Sequence, residues 1–207
     1  MTLDIIDRLA GIEPGSSLDL VRAERPAARD NAQESHLALF APADPRGVSL
    51  LERHAVAVFV TTLHGAGSSG VADHYVSELT AAGASDGLVA AVLAAAAAGA
   101  ASGPYGAYPP GPLSAEDAAG PEYAVPAVTA AALGERLAAA FAHAHLLVFR
   151  PRDASPAALA ALTDAGWSVD DIVTLSQEVA FLSFQLRVVS GLATLAALPA
   201  DTTRSSS

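Results

Sequence analysis

Glu52 and His74 are the two side chains whose types and setting best fit proton transfer in this sequence. Glu52 closes the first turn of a predicted helix that begins Ser49-Leu50-Leu51-Glu52. It shares a stripe with Val56, Phe59 and Leu63, so partial burial would raise its pKa toward that of a usable general acid or base. The same Ser-x-x-Glu spacing is a capping box, which accounts for Glu52 as a structural residue. His74 stands beside Tyr75 on the amphipathic stretch that follows, where a histidine serves either as a proton carrier or as a hydrogen-bonded surface group. A metal site would have to draw on His54, His64, His74, Asp73 and Glu52. No two histidines stand three or four apart and no His-Glu-x-x-His occurs, so no metal is expected. His143 and His145, two apart, lie on diverging faces of their helix and read as structural. Gly67-Ser68-Ser69-Gly70 is not the Gly-x-Ser-x-Gly elbow of a serine hydrolase, and no strand is predicted before it.

The candidate ligand-binding side chains are His64, Tyr105, Tyr108 and Arg187. Gln185 and Arg187 lie in an otherwise apolar helix with Phe181 and Phe184. A buried Arg187 needs a partner, which Glu178, Glu135 or a ligand carboxylate could supply, and an internal ion pair is expected. The chain has no cysteine, which excludes disulfides, thiolate catalysis, iron–sulfur clusters and Cys-type zinc sites. No bound cofactor is expected.

The elements that must position these residues read as helices throughout. Short helices fill residues 1–47, with Pro26 at the first turn of one running to about Phe40. The capping box at Ser49 opens a helix that is apolar on nearly every face after its first turn, and it should lie at the centre of the core. Further helices are expected at about 70–82, 86–101, 127–148, 156–165 and 169–197, the last begun by Ser168-Val169-Asp170-Asp171. Residues 102–126 hold six Pro and three of the four Tyr, so this connection is either a linker or a segment packed on the core or a second subunit.

The sequence also repeats itself at an offset of 83 residues. Leu79-Thr80-Ala81-Ala82-Gly83-Ala84-Ser85 matches Leu162-Thr163-Asp164-Ala165-Gly166-Trp167-Ser168, and Glu52-Arg53 matches Glu135-Arg136. His74 becomes Ala157 in the second copy, so the duplicated module does not require it. The period is too long for a solenoid. The expected architecture is one all-α domain built from two homologous halves, 48–101 and 127–199, joined by 102–126, with residues 200–207 as a disordered tail.

A hydrophobic content of 52% beside 16% charged residues implies a large core or apolar surface buried between subunits, so a homo-oligomer is expected. The net charge of −11 and the lack of a basic cluster argue against a nucleic-acid partner. The stretch 179–198 is long enough to span a membrane but carries Gln185 and Arg187 near its middle. No basic segment precedes an apolar one at the N-terminus, so a cytoplasmic chain without membrane contact is expected.

Glu52-Arg53-His54-Ala55, an apolar helix, a Gly/Ser turn, His74 and the closing Ala165 to Gln177 segment together resemble the alkylhydroperoxidase D and carboxymuconolactone decarboxylase superfamily, in its duplicated, peroxidase-related branch. The resemblance covers about 48–100 and 130–197. It implies an all-helical, oligomeric, AhpD-like fold, with Glu52 and His74 matching the family's Glu and His. The family's Cys-x-x-Cys pair would fall within residues 64–70, where no cysteine stands, so Cys-dependent peroxidase activity is not expected. Two functions follow from the resemblance. One is acid–base chemistry by Glu52 and His74 on a small organic acid, lactone or peroxide-related substrate. The other is a non-catalytic oligomeric scaffold or an accessory subunit of a peroxidase system.

Overall fold

The computed structural model describes residues 4–65 and 69–198, with the side chain of Ser69 left out, and among them it contains helices and no strand. The expected tail and the Gly67-Ser68 part of the Gly/Ser turn lie outside the described residues. In chain order the helices are α1 (Ile5–Ala10), α2 (Ser17–Ala23), α3 (Pro26–Phe40), α4 (Leu50–Leu63), α5 (Ser69–Ala81), α6 (Asp86–Ala98), α7 (Ala127–Leu133), α8 (Glu135–Phe149), α9 (Pro156–Asp164) and α10 (Val169–Ala196).

The middle of the fold is α4. Every residue from Arg53 to Thr61 is buried, and α3, α5, α6, α8 and α10 all pack around this one helix. Apolar side chains on every face leave α4 no stable place except the interior. Its axis is fixed by Phe59, which stacks on Phe141 of α8 with ring centroids 4.4 Å apart and planes within 7°. The Ser49 capping box starts it, with the Ser49 hydroxyl accepting from the Glu52 N–H and the Glu52 carboxylate accepting from the Ser49 N–H. A second capping box, Ser168 with Asp171, starts α10.

Two helical stretches differ from the sequence expectation. The single helix expected over 127–148 is broken at Gly134 into α7 and α8, because Gly134 sits at φ 82°, a conformation that ends one helix and opens the next. The helix expected to run to 101 stops at Ala98, where the Gly99 N–H closes onto the carbonyl of Ala95. At the matched turns of the 83-residue offset, Gly83 and Gly166 both take positive φ, and Ser85 and Ser168 both cap the helix that follows.

α1 and α3 bury Ile5, Ile6, Leu39 and Phe40 in the core, and a network of charges ties α1, α2 and α3 to one another. Arg22 and Arg29 each bond both Asp4 and Asp7, and Arg29 also reaches Asp19 at 2.9 Å. Burial pushes the Asp4 carboxyl upward, but the bonds from Arg22 and Arg29 outweigh it and bring Asp4 down to about 2.

The 102–126 connection packs against the core. Tyr123 donates to the Ala95 carbonyl at 2.7 Å and stacks on His145 at 4.6 Å, while Arg152 holds the Tyr105 carbonyl and lies over the Tyr108 ring at 3.9 Å. A methyl group at Gly120 would come within 2.5 Å of the Tyr105 ring, so the strap closes around a residue with no side chain.

One described helix, α10, is long and apolar enough to cross a membrane, and only 28% of its most apolar stretch is buried. It is half core helix and half surface helix, with Val169, Val173 and Phe184 exposed.

Candidate functional site

Glu52 is committed to structure. Its carboxylate accepts from the Ser49 N–H and hydroxyl, and on its other oxygen from Arg136 Nε at 2.6 Å. Arg136 is the clasp of this corner. It donates to the carbonyls of Gly47 and Gly166, lies 3.6 Å from Asp171, and covers the Trp167 ring at 3.8 Å, while the Trp167 indole donates back to the Arg136 carbonyl.

His74 faces a different part of the molecule. Its ring lies against Tyr75, its Nε2 is 3.3 Å from Arg8 and its Nδ1 is 3.8 Å from Glu78. Burial, then the nearby Arg8, lowers its pKa. No hydrogen bond or ion pair joins it to Glu52 among the described residues, so the structure does not assemble the dyad that the sequence suggests.

A different set of polar residues converges inside α3, α4, α5 and α10. Gln185 is fully buried and its Oε1 accepts from the Tyr75 hydroxyl at 2.9 Å. Two turns earlier on the same stripe, Glu178 is also fully buried, and neither of its carboxyl oxygens has a hydrogen-bond partner among the described residues. Gln185 Nε2, His54 Nδ1 and His36 Nδ1 are buried and unpartnered in the same way. Phe40 ties the group together, with its ring 5.5 Å from His54, 5.1 Å from Tyr75 and 5.3 Å from His36.

Burial dominates the charge state of this interior. It raises the Glu178 carboxyl well above its ordinary value, opposed only by the positive charge of Arg53. It also lowers His54, and it brings His36 down to about 4 with help from His74, Arg8 and His54. The Tyr75 hydroxyl is raised by the same cause. Burial therefore favours the protonated carboxyl and the neutral imidazoles, the combination of a proton donor and proton acceptors. Each buried polar group left without a partner costs about 1–3 kcal/mol, which marks such a cluster as something other than filling.

This interior borders an open groove of about 650 Å³ between α3 and α10. Ala38, Leu39, Phe181 and Phe184 supply its apolar wall, and Ser35, Thr174, Gln177, Arg46, Arg53 and the carboxylate of Asp44 supply its polar groups. Arg53 is 5% exposed and donates to three carbonyls, those of Val48, Leu39 and Pro45. A guanidinium carries five N–H donors, so two remain. No carboxylate lies within ion-pair distance of it among the described residues. Burial lowers its pKa, and the acids that act on it, Glu178, Asp171 and Glu52, do so only through space.

The remaining candidates are scattered. His64 Nε2 lies 3.5 Å from the Ser183 hydroxyl on α10. Tyr105 and Tyr108 are held in the strap by Arg152. Arg187 is exposed and donates to the Ser183 carbonyl at 3.3 Å; the internal ion pair expected for it does not form, because its side chain leaves α10 on the outer face. His143 bonds Ser176 at 3.0 Å and His145 bonds the Gly99 carbonyl at 3.0 Å, both within the packing. No group of three or more His, Asp or Glu side chains among the described residues is placed to hold a metal ion.

Glu178, Arg53 and His36 escaped the sequence reading as site residues. Glu178 carried a usable signal, since it stands seven residues before Gln185 on the stripe of Leu175, Leu182 and Val189. Comparison of the chain with protein-family models, with curated proteins and with solved structures finds no match. The likeness to the alkylhydroperoxidase D superfamily therefore rests on its motif residues alone.

Proposed function

We propose that this chain takes a small organic acid into the groove between α3 and α10 and performs acid–base chemistry on it with the interior behind that groove. The observation that carries the reading is Arg53: a buried guanidinium with spare donors and no carboxylate partner among the described residues, at the edge of a groove open to solvent. An organic carboxylate supplies the missing charge, and the apolar wall of Leu39, Phe181 and Phe184 suits its carbon skeleton. Glu178 and His54 are buried behind the groove and not on its lining, so they would act on a bound acid only once the interior opens to it, His54 taking a proton and Glu178 returning one. This is the chemistry that the family resemblance assigns to Glu52 and His74, moved to residues that are not already engaged. Descent from a duplicated, cysteine-less member of the alkylhydroperoxidase D type is part of the same proposal. The paired turns at Gly83 and Gly166 and their Ser caps support it.

The test is a thermal-shift screen of small mono- and dicarboxylates, followed by NMR detection of deuterium uptake at carbon in D2O for any that bind. A binder should raise Tm, Ala38→Trp should abolish the shift by filling the groove, and Glu178→Gln should keep binding while slowing deuterium uptake about 100-fold or more. If no carboxylate shifts Tm, the organic-acid reading fails. The second reading, a non-catalytic helical scaffold, then stands, and the full engagement of Glu52 by Ser49 and Arg136 favours it.

A further inference from the structure

The outer face of α10 carries a seam that no described part of the chain covers. Among the exposed positions of this helix, which also include Val169 at its start and Ser190, Gly191, Ala193, Thr194 and Ala196 beyond Arg187, the six Asp170, Val173, Gln177, Ala180, Phe184 and Arg187 follow one another at spacings of three, four, three, four and three residues. Those six have the two-position-per-heptad spacing by which one helix faces another. Val173 is 51% and Phe184 45% exposed. Gln177, Ala180 and Phe184 of the seam also form one wall of the α3 groove, so a partner on the seam would lie along the mouth of that groove, and Val173, Gln177 and Ala180 line another of about 660 Å³ against α9 with Leu159 and Ile172.

We propose that the occupant is a second copy of this chain, its α10 running antiparallel about a two-fold axis that passes between Gln177 and Ala180. The chemistry of the seam selects this arrangement because the stripe is complementary to its own reverse. About that axis Val173 of one copy meets Phe184 of the other, Gln177 meets Ala180, and Asp170 meets Arg187, twice over by symmetry. Each layer joins the two different heptad positions, as antiparallel pairing requires. A parallel, in-register pair would set Asp170 against Asp170 and Arg187 against Arg187, like charges facing at both ends. Arg187 has no carboxylate partner among the described residues of its own chain, although the chain carries a net charge of −11. From Asp170 to Arg187 the seam runs about 26 Å at the helical rise of about 1.5 Å per residue, enough for six layers.

Sedimentation equilibrium on the full chain decides the matter. The wild type should show twice the monomer mass of 20.8 kDa. Arg187→Asp should weaken dimerisation about tenfold or more, because both ends then carry facing carboxylates, and Phe184→Asp should leave monomers. The exchange Asp170→Arg with Arg187→Asp should restore the dimer, since it reverses each pair without changing the register. Far-UV circular dichroism establishes that each variant is folded, and the restored dimer cannot arise from a misfolded chain. A wild type that stays monomeric at about 100 µM, or that gains mass only with lipid vesicles or a different protein, would overturn the proposal. So would a dimer indifferent to Arg187→Asp and Phe184→Asp, or an exchanged pair that fails to reassociate. Dimerisation without organic-acid binding would leave this inference intact and remove only the ligand reading.

Discussion

Replacing Glu178 with glutamine should make the stability of this protein less sensitive to rising pH, by an amount set by one proton. The folded chain keeps the Glu178 carboxyl wholly out of water and without a hydrogen-bond partner among the described residues, so its pKa is raised well above the ordinary value of 4.5. The unfolded chain releases that proton near pH 4.5, whereas the folded chain holds it. Above that pH the unfolded state binds fewer protons, so raising the pH favours unfolding, at up to about 1.4 kcal/mol per pH unit while the folded carboxyl stays protonated. Between about pH 5 and pH 6 this amounts to roughly 1.2 kcal/mol of wild-type stability. The Glu178→Gln variant has no proton to bind at this position in either state and would lose that slope. Its amide adds a constant offset, because an amide in this place also needs partners, and the offset drops out when the slopes of the two pH profiles are compared. Urea denaturation of both proteins at several pH values gives the measurement, and every other titrating group cancels in the difference. A difference between wild type and variant that stays flat from pH 5 to pH 6 would refute the reasoning. It would mean that Glu178 is already ionised in the folded chain, held by Arg53 more closely than the geometry indicates.

Other perturbations test separate parts of the argument. His36, brought down to about 4 by burial, should cost stability as pH falls from about 6.5 toward 4, by at most about 3 kcal/mol; His36→Phe should flatten that limb in the same urea titration. Gly47→Ala places a methyl group 2.1 Å from the Asp171 carboxylate beside the Arg136 clasp, and should lower stability by about 1–3 kcal/mol in thermal or urea unfolding. Phe59→Ala removes the ring that stacks on Phe141 and should cost about 3–5 kcal/mol in the same measurement; a loss under about 1 kcal/mol would mean that α4 is not the centre of the core.

The helices were legible because their signals are local. Ser49 with Glu52 and Ser168 with Asp171 are caps readable from four residues each, and an apolar run without a polar face leaves α4 only the interior. Gly134 was missed as a break because the alanine-rich stretch around it has strong helical propensity, which one glycine does not outweigh until its backbone is seen at φ 82°. The site was less legible because it depends on which faces meet. Glu52 and His74 lie on consecutive helices, but Glu52 turns toward Arg136 of α8 and the Gly47 corner while His74 turns toward Arg8 of α1. Arg187 looked like the buried charge of α10, yet it is exposed, while Glu178 on the other side of the same helix is fully buried.

Arg53 and Arg136 occupy matched positions at the 83-residue offset, and the difference between them bears most directly on function. Each reaches out from the first turns of its helix to gather carbonyls, Arg53 from Leu39, Pro45 and Val48, Arg136 from Gly47 and Gly166. Arg136 also has a carboxylate, that of Glu52, the residue just before Arg53. A symmetric arrangement would pair Glu135 with Arg53 in the same way, but Glu135 is exposed and makes no ion pair among the described residues. One arginine is therefore neutralised by the fold and the other is not. A buried cation left without its counterion is costly unless something supplies the charge, and Arg53 is the one that borders an open groove. That contrast gives a physical reason to look for an anionic ligand at Arg53 and not at Arg136.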